Sequence, residues 1–401
     1  MAHTTLLVIC TGLVAIAMLV CLYHLCLMLV ALVFRRNNNH YAGDLRHSFA
    51  IVIPAHNEES TIAGTLESCA ALDYPAGEKT VYVIADNCSD GTIEVAQQHG
   101  AACLVRRDET RLGKGYALEW ALPQVLANGH DAILILDADC EIDAKSLLVF
   151  NAHLANGRQV LQANYAVANP DHNPRTYLLA LANTLENEFF YAPKSKLNMA
   201  VFLRGTGMVL HGDVLAEFPW RARSIVEDAE YSCQLLQHGR RIAFVPEIKV
   251  TSPFPEESGQ LAVQRTRWIG GAVKSLASLA PRMIWLGFRN REIALFDAAL
   301  TMMIVSRPLI IAEFALALSL AAICWAIAPG SWSILLLTVC LLAAAGYAAY
   351  VLAGIVRLGI SPRRLGLLAS SPIQIVEYLL ISLRSLIRLG GDGWQRTPRT
   401  K

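Results

Sequence analysis

An apolar run over residues 5–34 constrains this chain more than any other feature, because it exceeds the ~20 residues a helix needs to cross a bilayer. Such a run is either a membrane anchor or a cleaved leader. The opening Met-Ala-His-Thr-Thr has no cationic region, the run is too long, and no small-x-small site follows it, so an anchor is expected. Arg35 and Arg36 come directly after the run. Positive charge collects on the cytosolic side, which puts the next segment in the cytosol and the N-terminus outside. With 54% hydrophobic and 17% charged residues, the 401-residue chain is too apolar for an ordinary soluble enzyme.

The formal net charge of +1 carries no basic excess, and the chain has neither zinc-type Cys/His spacing nor a basic stripe set with aromatics, so nucleic acid is not expected as a partner. Ten cysteines lie without repeating spacing, several inside apolar runs, where a thiol behaves as a small hydrophobe; they read as reduced.

From about Ser48 to Arg291 the composition changes to that of a soluble α/β domain. Residues 50–53, 81–84 and 132–136 read as buried parallel strands, since strands covered on both faces show apolar runs instead of alternation. Helical patterns at 60–71, 92–99 and 114–126 separate them, giving a β-α-β-α order and a doubly wound sheet whose ligand crevice lies beyond the carboxyl ends of the strands.

Beyond Arg291 two apolar runs, 293–328 and 334–356, flank an uncharged link, and Arg357, Arg363 and Arg364 follow the second, as expected for a hairpin that leaves and re-enters the cytosol. Arg307, Pro308 and Glu313 interrupt the first run, so residues 293–305 are placed at the interface and the remainder across the membrane. Residues 365–389 hold Pro372, Glu377, Arg384 and Arg388 and read as an interfacial amphipathic helix, with a spanning or re-entrant segment as the alternative. The basic tail 384–401 is expected to touch anionic lipid. The organisation expected is an anchor at 1–36, an α/β domain at 48–268, an interfacial segment at 269–292, a transmembrane hairpin at 293–357, and an interfacial helix with a basic tail at 358–401.

The polar motifs fall at strand ends. Asn57, Glu58, Glu59 and Ser60 follow the first strand and suit either a helix cap or a ligand site. Asp86 and Asp90 follow the second and either contact a base and ribose or form a turn that caps the helix beginning at Thr92. Asp137 and Asp139 follow the third. In an extended segment they point the same way and can approach one hard divalent cation, Mg2+ or Mn2+, bridging phosphates; the plainer alternative is a solvated turn.

Pro54-Ala-His-Asn-Glu58, Asp86, Asp137-Ala-Asp139, Glu227-Asp228 and Gln264-Arg-Thr-Arg-Trp268 occur in an order that resembles family 2 glycosyltransferases, of the membrane-bound cellulose, hyaluronan or poly-N-acetylglucosamine synthase type. The resemblance covers residues 49–271 and the flanking membrane helices. It implies a GT-A fold, a Rossmann-like nucleotide-sugar-binding domain inserted between transmembrane helices. It further implies that Ala55, Glu58, Asp86, Lys114 and Asp137 bind the nucleotide sugar, that Asp139 joins Asp137 in holding metal, that Asp228 is the general base, and that Glu227, Gln264, Arg267 and Trp268 serve acceptor and diphosphate. Residues 205–207 resemble the small-residue segment bordering the acceptor pocket. The usual pair of adjacent aspartates is here Ala85-Asp86, so Asp86 alone carries over.

These roles make chemical sense together. One carboxylate that removes the acceptor proton while a metal-bound diphosphate leaves from the opposite face gives inversion, with no second carboxylate acting as acid. The helix starting at Glu227 offers capping as the alternative role for Glu227 and Asp228. The resemblance implies a UDP-sugar donor, a growing polysaccharide or lipid-linked acceptor, contact with membrane lipids and with other membrane subunits of an export complex, and a place in a bacterial inner membrane with the catalytic domain cytosolic. Transfer to a lipid, a nucleotidyltransferase and a non-catalytic membrane subunit are the competing readings.

Overall fold

The computed structural model describes residues 2–33, 47–304 and 306–388. Arg35, Arg36 and the end of the basic tail from residue 389 lie outside the described residues. The eight strands are β1 (Phe49–Ala55), β2 (Lys79–Asp86), β3 (Ala102–Arg106), β4 (Ala132–Ile135), β5 (Glu141–Ile142), β6 (Val160–Val167), β7 (Met208–His211) and β8 (Ala243–Ser252). They form one sheet in the order β3-β2-β1-β4-β7-β6-β8-β5.

The three strands expected from sequence are central and mutually parallel, β2 and β4 both pairing with β1. The sheet as a whole is mixed: β7 runs antiparallel to both β4 and β6, and β5 antiparallel to β8. The chain passes from β1 outward through β2 to β3 and then returns to lay β4 on the other side of β1. That reversal is a topological switch point, and it opens a crevice beyond the carboxyl ends of β1 and β4, where Ala55, Asp137 and Asp139 stand.

Residues 49–53 of β1 are fully buried because both faces of the sheet are covered. Alternate side chains divide between two cores, as the two-residue strand period requires. Phe49, Ile51, Ile53, Val83 and Leu134 pack with the helices Ile62–Ala70 and Ser146–Ala155. Ala50, Val52, Ile84 and Ile133 pack with the helix Lys114–Leu126, and the same core continues through Leu27, Leu295 and Ala298 into the apolar helices. The sheet domain is therefore cemented to the apolar helices by shared packing.

Three helices are long and apolar enough to cross a membrane: Thr4–Val33, Arg307–Ile327 and Ser331–Leu358. The apolar run beginning at 293 breaks after the helix Ile293–Met303, and a new helix starts at Arg307 with Pro308 in its first turn, where a missing N–H costs nothing. Residues 365–389 do not make one helix: Pro362–Ala369 and Pro372–Arg388 meet at Ser371 and Pro372, and the pair bends by 53°. Proline cannot continue the helix in front of it, which accounts for the break. Arg364 makes a bidentate ion pair with Asp171, Nε to Oδ1 at 2.7 Å and Nη2 to Oδ2 at 2.9 Å, and so ties this bent pair to the sheet domain. A 33-residue helix, Ser258–Asn290, carries Gln264, Arg267 and Trp268 and the expected interfacial segment in one piece. All ten cysteines are free thiols.

Candidate active site

The end of β1 turns at Asn57, which adopts a left-handed backbone at φ 56°, a conformation asparagine tolerates better than most residues. Its Oδ1 accepts from the backbone N–H of Ser89 at 2.8 Å, so Asn57 links the β1 and β2 ends instead of capping a helix. The Glu58 carboxylate accepts from Thr61 Oγ1 at 2.7 Å, and its backbone N–H donates to Thr92 Oγ1 at 2.9 Å. Asp90 has the turn role: its carboxylate accepts from Thr92 N–H at 3.1 Å and from Glu59 N–H at 3.2 Å.

Asp86 is different. It is buried at the β2 end, where Arg106 Nη1 donates to its Oδ1 at 2.5 Å and Asn87 Nδ2 at 3.1 Å. Burial pushes the carboxyl up and Arg106 opposes it, so an anion is held here only because a guanidinium accompanies it. Arg106 was not anticipated; its signal, the first of two adjacent arginines closing a short strand, is indistinguishable in sequence from surface charge.

Asp137 and Asp139 come together through a turn at Ala138 and Asp139, and not through an extended segment. Asp137, Asp139 and Cys140 place one ligand atom each within 4.8 Å of the others. Burial, with the nearby aspartates, pushes the Cys140 thiol well above its usual range, and its sulfur lies 3.3 Å from Thr206 Oγ1, so it remains a protonated thiol. Two carboxylates beside a thiol that stays protonated suit a hard cation such as Mg2+ or Mn2+ completing its shell with diphosphate and water, and these residues fit such an ion. Lys114 donates to Asp137 Oδ1 and, at 2.7 Å, to the carbonyl oxygen of Gly205. Burial works against the Lys114 charge, but Asp137, Glu227 and Asp228 outweigh it and raise its pKa.

Glu227 and Asp228 open the helix Glu227–Gln237, whose N-cap is Val226 with no capping side chain. Asp228 Oδ1 accepts from the adjoining Ala229 N–H at 2.8 Å. Burial raises both carboxyls, and for Glu227 the charge of Asp228 adds to it. The Asp228 carbonyl accepts from Ser232 Oγ, which accepts in turn from Leu203 N–H at 2.8 Å, locking this helix to the 203–205 segment. Gly205 adopts φ 77°, where a side chain would be strained, and a Cβ there would stand in ordinary contact with Asp228 Oδ2 at 3.6 Å and Lys114 Nζ at 3.7 Å.

One cavity of about 1410 Å³ is lined by every candidate residue: Ala55, Glu58, Asp86, Lys114, Asp137, Asp139, Glu227, Asp228, Gln264, Arg267 and Trp268. Burial lowers the Arg267 pKa against the opposing pull of Glu227 and Asp137. The cavity does not stop there. It continues past Glu186 and Arg204 to Arg265 on the helix Ser258–Asn290, and to Arg307, Ile311, Tyr347 and Val351 on the apolar helices. Sequence reading missed Glu186 and Arg204, which sit in unremarkable surroundings; Arg307 stood out only as an interruption in an apolar run.

An α/β sheet with acidic residues gathered at its switch point is an architecture that nucleotide-sugar-dependent transferases share with other ligand-binding folds. Residues 47–271 match the glycosyltransferase-like family 2, and the chain belongs to that family. Its curated relatives include the β-monoglucosyldiacylglycerol synthase of Trichormus variabilis, 28% identical over 58% of this chain and 51% of that protein. They also include the probable glycosyltransferase YdaM of Bacillus subtilis, 24% identical over 62% of each chain. A third is the poly-β-1,6-N-acetyl-D-glucosamine synthase of Staphylococcus aureus, 25% identical over 57% of this chain and 55% of that one. The chain thus spans between half and two thirds of the length of these relatives. Among solved structures, the mannosyltransferase PcManGT from Pyrobaculum calidifontis, in complex with GDP-Man and Mn2+, superposes with a TM-score of 0.58 at 18% identity, covering 96% of this chain and 99% of that one. The two share the GT-A fold.

Proposed function

We propose that this protein is an inverting glycosyltransferase of the membrane face, moving a sugar from a nucleotide diphosphate, with UDP expected, to an acceptor anchored in lipid. The observation that carries the reading is the continuity of one cavity from Asp86, Asp137 and Asp139, past Asp228, to side chains of the apolar helices. Donor and acceptor can then meet at a single carboxylate without either leaving its phase.

Asp86 and Glu58 hold the nucleoside and Ala55 borders it; Asp137 and Asp139 would hold Mg2+ or Mn2+, which would supply charge neutralisation at the diphosphate. Asp228 takes the proton from the acceptor hydroxyl as that oxygen bonds to the anomeric carbon. The bond from the anomeric carbon to the diphosphate breaks on the opposite face, and Lys114 and Arg267 carry part of the negative charge that departs with it. Glu227, Gln264 and Trp268 border the acceptor. The apolar helices anchor the enzyme in a bacterial inner membrane with the sheet domain in the cytosol.

The names of the relatives include both a glycolipid synthase and a polysaccharide synthase. The apolar lining at the membrane end of the cavity favours a lipid-borne acceptor, including a lipid-linked glycan, over a free polymer. Export of a long polymer would call on a partner membrane protein. The deciding test is nucleotide release from a panel of UDP- and GDP-sugars by detergent-purified full chain with Mn2+ or Mg2+ and added membrane lipid. Metal-dependent turnover of one donor, absent in Asp228→Asn, is expected; turnover that survives Asp228→Asn would remove Asp228 as the base.

A further inference from the structure

The membrane end of the cavity holds more positive charge than its own residues neutralise. Arg204, Arg265 and Arg307 all line it. Arg204 Nη2 donates to Glu186 at 3.2 Å, and Arg307 reaches the same carboxylate at 3.8 Å. Arg265 has no such anion. Its guanidinium lies over the Tyr378 ring at 4.8 Å, its Nε is buried without a hydrogen-bond partner, and it has no ion pair among the described residues. Glu186, the carboxylate nearest in effect, is shared with Arg204 and Arg307, and Glu377 pairs with Arg175 at 2.9 Å. A half-buried guanidinium whose Nε is enclosed without a partner keeps donors for a ligand, and charges retained at membrane level face protein or water.

We propose that the lipid acceptor is anionic, and that its phosphate sits between Arg265 and Arg307. This rests on the glycosyltransferase reading above and names the acceptor class for the same cavity. The planar guanidinium fork matches phosphate oxygens, and Arg265 has donors to spare for them. Around the two arginines, Leu178, Ile311, Val351 and Ile375 supply an apolar wall for acyl or isoprenoid chain. Arg307 opens the membrane helix Arg307–Ile327, the level at which a lipid carries its headgroup. The acceptor hydroxyl then extends from the phosphate toward Asp228.

The test is binding of lipids to the purified full chain in mixed micelles, without donor. Phosphatidylglycerol and phosphatidic acid are compared with diacylglycerol of the same chains, and glycerol phosphate and inorganic phosphate serve as soluble competitors. Preference for the phosphate-bearing lipids is expected, with a loss of about 10-fold or more in Arg265→Gln and in Arg307→Gln. Arg265→Lys, which keeps the charge without the fork, should bind better than Arg265→Gln. The exposed Arg289→Gln should bind as the parent does. Equal binding of neutral and anionic lipid, or an equal loss in Arg289→Gln, would overturn the proposal; so would soluble phosphates binding as tightly as the lipids, which would assign the site to free phosphate. Unfolding midpoints compared across the variants separate lost binding from lost folding. Binding of UDP and of GDP with Mn2+ is measured separately: the absence of both in the parent protein would defeat the glycosyltransferase reading and leave the lipid comparison standing.

Discussion

Lys194 Nζ lies 2.9 Å from Asp297 Oδ2, with both side chains removed from solvent. Asp297 also accepts from Tyr23 O–H at 2.5 Å and from the Ala200 backbone N–H at 2.8 Å. One carboxylate thereby joins the N-terminal apolar helix, the sheet domain and the helix Ile293–Met303, which fixes the candidate site's cavity relative to the apolar helices.

Removing that carboxylate should unfold the junction. Asp297→Ala strands Lys194, whose pKa burial already pulls down to about 8, as a buried group without its anion. Breaking a buried pair from one side costs about 3–5 kcal/mol. A lowered denaturation midpoint in detergent is the readout, and a midpoint equal to the parent's would count against the junction.

Asp228→Asn should lower kcat by about 10²- to 10⁴-fold, the range that a general base supplies. Donor affinity should change little, because the nucleotide is held at the strand ends. Steady-state kinetics with the donor varied separates the two terms.

The acid limb of kcat/KM in the free enzyme should lie above the ordinary carboxylate range. Burial raises Asp228 from 3.8, and a base works only when deprotonated, so activity is lost as pH falls through the raised value. Glu227 gives the matching stability prediction. Its folded pKa is raised above 4.5, chiefly by burial and then by Asp228, so its ionisation favours the unfolded state. Glu227→Gln should therefore melt higher at neutral pH, with the gain fading as pH falls toward 4.5. Melting curves taken across that interval check the sign.

Lys114→Met removes the cation that bridges Asp137 and the Gly205 carbonyl. Loss of a charge-assisted bond to the diphosphate should weaken nucleotide binding by about 10-fold or more. Isothermal titration with UDP and Mn2+ would register it, and an unchanged affinity would take Lys114 out of the donor site.

The parallel half of the sheet was legible in the sequence because β1, β2 and β4 are apolar on both faces, and the helix Lys114–Leu126 begins and ends where its pattern does. The mixed half was not. β5 holds two residues, β7 has three apolar residues before His211 against the five-residue apolar run that marks β4, and β6 pairs parallel with β8 only across a register shift between Ala163 and Asn164. The strand-end carboxylates stood out because they follow buried strands, but the same pattern also marks turns and caps, and Asp90 proved to be one of those. Arg106, Glu186 and Arg204 were hidden because their function lies in partners distant along the chain: Asp86 for the first, the cavity itself for the others.

The configuration of the product tests the account most directly. Full-length protein supplied with a 13C-labelled, α-linked nucleotide sugar, Mn2+ and membrane lipid should yield label in the organic phase, with a β-anomeric signal by NMR and none from Asp228→Asn. An α-anomeric product, or label that never leaves the aqueous phase, would contradict single displacement onto a lipid-borne acceptor at Asp228.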